Sequence, residues 1–108
     1  ILELAEAAPI ETTASLEARL SLQHARVSAL RGEDEPPFAA AVAALRNVEE
    51  PYWVATALLE QAEWLAERNR GDEAAPLLAE ARDTFARLRV APRLERIERL
   101  EALPTAPA

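Results

Sequence analysis

His24, the one histidine of the chain, and the acidic clusters Glu33-Asp34-Glu35, Glu49-Glu50 and Asp72-Glu73 are the residues best equipped for acid–base or metal chemistry. A histidine moves protons usefully only beside a partner group in a cleft. A zinc site needs further ligands at helical spacing, and a di-iron bundle needs two Glu-x-x-His motifs. Ser21 stands three residues before His24, so that motif is missing, and a structural histidine is the expectation. Each acidic cluster precedes a helical run, where carboxylates complement the positive end of the helix dipole. None has the spacing of an EF-hand loop. The two glycines, Gly32 and Gly71, are not followed by Lys-Ser/Thr, so no phosphate-cradling loop is present. No catalytic residue, cofactor site or metal site is therefore expected.

Aromatic residues pose the sharper question. The stretch from Pro51 to Phe85 holds both tryptophans, the one tyrosine, one of two phenylalanines and the second glycine. Trp53 and Trp64 stand eleven residues apart, three helical turns, and share a stripe with Ala57 and Glu60. Exposed tryptophan is enriched at binding hot spots, which makes Trp53, Glu60, Trp64 and Glu67 the candidate partner-binding residues. The same spacing serves a helix that packs against a neighbour. A packing seam between two repeats is the expected role and a partner-facing groove the alternative. A groove would leave Trp64 partly exposed while Leu58, Ala62 and Leu65 are buried.

The elements that position these residues follow from composition. The 108 residues fit one domain. Cysteine is absent, which removes disulfides and thiolate ligands and suits a reducing cytoplasm. The net charge of −7 argues against a phosphate-binding surface, and no apolar run approaches the roughly 20 residues of a membrane span. All twelve basic residues are arginine and alanine is the commonest residue, a GC-rich codon bias expected of a bacterial source. The start at Ile1 and the lack of methionine are expected of a piece of a longer chain.

Helix formers dominate and β-branched residues are sparse, which predicts an all-α chain. A short helix is expected over Ile1 to Ala8, as the remnant of a preceding element with its linker in residues 1–12. A second is expected from Thr13 to Arg31, with Leu16, Leu20, Val27 and Leu30 on one stripe. A third covers Pro37 to Asn47, with Phe38, Ala41, Val42, Leu45 and Val48 at helical spacing. The fourth runs from Pro51, a good first-turn residue, to Arg68. The fifth follows Asp72 as N-cap and reaches Arg89. The last, Pro92 to Leu103, interleaves arginine and glutamate around Leu94, Ile97 and Leu100, as a polar capping helix does. Residues 104–108 form a tail.

The chain resembles itself. Arg31-Gly32-Glu33 matches Arg70-Gly71-Asp72 at an offset of 39, and Phe38, Ala41, Leu45 and Val48 match Leu78, Ala81, Phe85 and Leu88 at 40. Pro51 matches Pro92 at 41. The first helices align less clearly: Leu20, His24 and Val27 match Leu58, Ala62 and Leu65 at 38, and other offsets score nearly as well. Such a period points to stacked helical hairpins, over about 13–48 and 51–89 with a cap over 92–103. Equivalent Gly32 and Gly71 turns and close contacts at Ala41 and Ala81 are expected.

Leu58, Ala62, Leu65, Ala74, Leu78 and Ala81 resemble the bulky–small–large and small–large–small pattern of a tetratricopeptide hairpin. Gln61 and Asn69 depart from it, standing where a leucine and the turn glycine are usual. "PYWVATALLEQAEWL" followed by "DEAAPLLAEARDTFARLRVAPRLERIERL" is similar to the C-terminal helical-repeat region of large bacterial signalling proteins. Those proteins join a cyclase-like or helix-turn-helix output domain to a STAND-type ATPase and then to such repeats. The resemblance spans about Leu16 to Leu103. It implies a right-handed α-α superhelix that binds a protein, a peptide or a sister domain in its groove and is not itself a cyclase or an ATPase. A domain sensing a small effector between hairpins is the alternative.

Overall fold

The computed structural model describes residues 13–102, all of them helical or in the short connections between helices, with no strand among them. The expected helix over Ile1 to Ala8, Leu103 and the tail lie outside the described residues. Five helices follow in order: α1 (Thr13–Leu30), α2 (Phe38–Asn47), α3 (Pro51–Glu67), α4 (Gly71–Leu88) and α5 (Ala91–Ala102). They divide into two compact units, one up to Glu49 and one from Glu50 onward.

In the first unit α1 packs on α2. The inner face of α1 is Ser15, Ala18, Leu22, Ala25 and Ser28, and that of α2 is Phe38, Ala41, Val42 and Leu45. Ala25, Ala41 and Leu45 are wholly buried. The apolar stripe Leu16, Leu20, Val27 and Leu30 is not the face that α1 buries. It points to solvent on the opposite side of the helix, with Leu20 61 % and Leu30 88 % exposed. Small residues let the two helices approach closely, so α1 turns its alanine and serine face inward and leaves its large residues outside.

In the second unit α3 packs along α4, and α4 meets α5. Val54 to Leu59 form an unbroken buried run on α3, and Ala74, Leu78, Ala81, Thr84 and Phe85 form the inner face of α4. Thr56 is buried without penalty because its hydroxyl donates to the Tyr52 carbonyl at 2.9 Å. On α5, Ile97 alone is fully buried, and Leu94 and Leu100 are half-buried. Pro76 lies inside α4, where it removes one helical hydrogen bond; both it and Asp72, whose carbonyl is freed, are exposed.

The helix ends revise the expected turn equivalence. Gly32 takes a positive φ of 75°, with the Glu33 amide donating to the Ser28 carbonyl at 3.1 Å. In the second unit the same left-handed position is held by Asn69, at φ 60°, with the Arg70 amide on the Leu65 carbonyl at 2.9 Å. A third such end occurs at Arg89, with the Val90 amide on the Phe85 carbonyl at 2.9 Å. All three have the bonding of a Schellman cap. Gly71 is instead the first residue of α4, and Arg70, not Asp72, occupies its N-cap. Asn69 tolerates the left-handed region through its short polar side chain, so the turn glycine of the first hairpin has an asparagine as its counterpart.

Relative to that turn the first helices align at 37 residues rather than 38. Ala18, Leu22 and Ala25 then match Ala55, Leu59 and Ala62, all six buried. The offset of 40 holds between α2 and α4. Phe38 and Leu78, Ala41 and Ala81, and Leu45 and Phe85 are buried pair by pair, whereas Val48 is half-buried and Leu88 exposed.

Two stability measurements follow. Ala81→Leu should cost about 1–3 kcal/mol by overpacking a fully buried contact, seen as a lower thermal midpoint; an unchanged midpoint would contradict the close contact. Arg89→Gly should stabilise by up to about 1 kcal/mol, because it relieves a left-handed backbone at a non-glycine residue, and chemical denaturation would register a higher midpoint.

Candidate functional site

The four candidate residues all lie on α3, and their environments differ. Trp64 is 7 % exposed, together with buried Leu58, Ala62 and Leu65. The Arg68 and Arg70 guanidinium carbons lie 4.7 and 5.4 Å from its ring centroid, a cation–π arrangement at the turn that ends α3. Its indole Nε1–H is buried and meets no acceptor among the described residues, a penalty that tryptophan usually avoids. Trp53 is half-buried, edge-on to Tyr52 with centroids 5.3 Å apart. Tyr52 in turn stands edge-on to Phe85 at 5.9 Å, a ring contact between α3 and α4 within one hairpin.

Glu60 and Glu67 differ as well. Glu60 is half-buried and Glu67 exposed. Between α3 and α5, Glu63 accepts two hydrogen bonds of 2.5 Å from Arg96, through Nε and one terminal nitrogen. That bond raises the Arg96 pKa above its ordinary value; burial opposes the rise, and the charges of Glu63 and Glu60 reinforce it. Arg93 donates to the Tyr52 hydroxyl at 3.3 Å, and Arg82 of α4 pairs with Glu101. α5 is therefore tied to its unit by one buried isoleucine and a set of ion pairs.

An open groove of about 370 Å³ beside these contacts is lined by Glu63, Ala66, Glu67 and Leu100. Only Glu67 of the four candidates reaches it. At the turn before α4, Arg70 hydrogen-bonds to Glu73 at 2.7 and 2.8 Å and thereby holds the Glu73 carboxyl below its usual range. His24 is exposed, on a second open groove of about 360 Å³ with Val27, Ser28, Arg31, Glu33 and Pro37. No three of His, Asp and Glu among the described residues are grouped to hold a metal ion.

The 37-residue register identifies what the sequence pattern missed. It carries Trp53, Ala57, Glu60, Trp64 and Glu67 onto Leu16, Leu20, Gln23, Val27 and Leu30. The candidate stripe is thus present twice. On α3 Ala57 and Trp64 are buried, whereas on α1 Leu16, Leu20, Val27 and Leu30 are all exposed. The signal was available in the sequence, in the Ala-x-x-x-Leu-x-x-Ala spacing shared by both helices, once that spacing is taken as the inner face. Among the described residues, four of the five exposed large apolar side chains lie on this outer face of α1. No protein family, curated protein or solved structure matches this chain, and no described helix is long and apolar enough to cross a membrane.

Trp64→Ala should cost about 3–5 kcal/mol of stability, as large aromatic truncations in cores do. Trp64→Phe should cost much less, because it also removes the unpartnered N–H. In a Trp53→Phe variant, the remaining Trp64 emission should be blue-shifted and resistant to quencher; red-shifted, readily quenched emission would place Trp64 in solvent. Arg96→Ala should speed amide exchange along α5 while leaving α3 and α4 protected, since it removes the paired anchor of that helix.

Proposed function

We propose that this chain is a non-catalytic interaction module. In this reading its hairpins are tetratricopeptide-like units of a right-handed superhelix, and α5 is the polar capping helix. It would serve as the C-terminal regulatory region of a cytoplasmic, multidomain bacterial signalling or transcription-regulatory protein, biasing an output domain through what it binds. The partner class is a protein, a peptide or a sister domain; the net charge of −7 disfavours nucleic acid.

The observation that carries the reading is the bare outer face of α1. Three leucines and a valine stand exposed along one side of an 18-residue helix, and an apolar stripe of that kind marks a protein-contact surface. The paired burial at offsets of 37 and 40 supports the hairpin repeat. The alternative, a small-effector sensor, calls for a concave site with convergent polar groups; the two grooves described above are open rather than enclosed.

Titration of the dilute, isotope-labelled chain with a leucine-striped amphipathic helical peptide tests the proposal. Shifts should concentrate at Leu16, Leu20, Val27 and Leu30 and vanish in Leu20→Glu. A peptide that leaves α1 unperturbed would count against it, as would cyclase or nucleotide-hydrolysing turnover by the purified chain.

A further inference from the structure

The outer face of α1 has a regular period. Leu20 and Val27 are seven residues apart, as are Leu16, Gln23 and Leu30. With Leu20 and Val27 at position a of a heptad, Leu16, Gln23 and Leu30 fall at d. Glu17, His24 and Arg31 then fall at e, and Arg19 and Arg26 at g. This is the pattern of a short coiled-coil seam with one polar core position, and the face that carries it lies opposite the one packed on α2.

Building on the interaction reading, we propose that the occupant of this face is a second copy of the same chain, joined through an antiparallel α1–α1 pair about a two-fold axis. Charge sets the direction. A parallel pair brings g positions against e positions, so Arg26 would face Arg31 and Arg19 would face His24. An antiparallel pair brings e against e, so Glu17 of each copy meets Arg31 of the other, twice by symmetry. In the same register Leu20 packs on Leu30 of the other copy and Val27 on Gln23, again twice. The two His24 and the two Arg26 side chains approach near the axis; each Arg26 is hydrogen-bonded within its own helix to Gln23 Oε1 at 2.5 Å. The groove beside Val27 and Arg31, about 360 Å³, opens on the flank where Glu17 of the second copy arrives. Its own carboxylate, Glu33, is already engaged by the Ser28 hydroxyl.

Size sets the strength. Leu16 falls past the end of the partner helix in this register, and the exposures of 61 % for Leu20, 42 % for Val27 and 88 % for Leu30 correspond to about 300 Å² of accessible surface per copy, short of the roughly 800 Å² per partner of a stable interface. The association is therefore weak and reversible.

Sedimentation of the full chain across a concentration series tests the proposal. The expected result is a monomer–dimer equilibrium passing through the micromolar range. Leu20→Glu should abolish it without loss of helicity, because that side chain contributes nothing to the inner face. Glu17→Arg and Arg31→Glu should each weaken the dimer several-fold, and the double variant Glu17→Arg/Arg31→Glu should restore it. A chain that stays monomeric at about 1 mM overturns the proposal, as does a dimer that the Leu20→Glu change leaves intact or that the double variant fails to restore. Failure here is separable from failure of the interaction reading. A monomer that still binds the leucine-striped peptide on α1 keeps that reading and loses this one; a monomer that binds no such peptide loses both.

Discussion

Close approach of paired helices is the constraint on which the rest depends. Ala18 and Ala25 on α1, Ala41 on α2, Ala55 and Ala62 on α3 and Ala74 and Ala81 on α4 are buried to within a few per cent. Helix axes separated by small side chains lie at the near end of the usual 8–10 Å range, and at native density such contacts have no spare volume. Each hairpin then needs only a few large residues to fill what remains. Phe38, Leu22 and Leu45 do so in the first, and Phe85, Leu58 and Leu59 in the second. A chain with so few aromatics can build its core this way because the helices themselves come close enough to fill it.

The same constraint explains which parts of the fold were legible in the sequence. Helix positions were, because proline and apolar spacing mark them: Pro51 opens α3, and the 3.6-residue period of Phe38, Ala41, Val42 and Leu45 marks the buried side of α2. The orientation of α1 was less so. Its sequence carries two candidate inner faces, one of large residues and one of alanine, serine and Leu22. Hydrophobicity alone favours the leucines, but packing against a short neighbouring helix selects the small residues. The turns misled for a related reason. Left-handed helix ends favour glycine without requiring it, so Asn69 takes the position that glycine holds at Gly32, and Gly71 opens a helix.

The spacing of the candidate stripe was legible in the sequence, and the burial of its members was not. The tryptophan stripe of α3 is a genuine face of that helix, but the bulk that marks a hot spot also suits a core, and Trp64 is spent there despite its unpartnered N–H. Its counterpart on α1, Leu16, Leu20, Val27 and Leu30, was legible as an apolar stripe but not as the equivalent of the tryptophan stripe. Only the register of the inner alanines relates the two, and that register becomes visible when Gly32 is aligned with Asn69 instead of Gly71. The groove beside Leu100 was hidden for another reason: its lining joins Glu63, Ala66 and Glu67 of α3 to Leu100 of α5, far apart in sequence.

A helix that keeps its smallest residues inside and its largest outside has an energetic consequence. Burying apolar surface contributes about 25 cal/mol per Å², so much of the stabilisation α1 can supply is not used by its packing on α2. Whatever covers the outer face adds that contribution to the folded hairpin and none to the unfolded chain. By linkage, occupation then stabilises the hairpin by RT ln(1 + [L]/Kd), and α1 and α2 become firmer in proportion to how fully the face is occupied. On the proposed interaction reading, the docking surface and the reserve of stability are the same four side chains. Binding at Leu16, Leu20, Val27 and Leu30 would reach α2 through the rigid alanine contacts beneath them, because an interior with no spare volume passes on the order imposed at its surface.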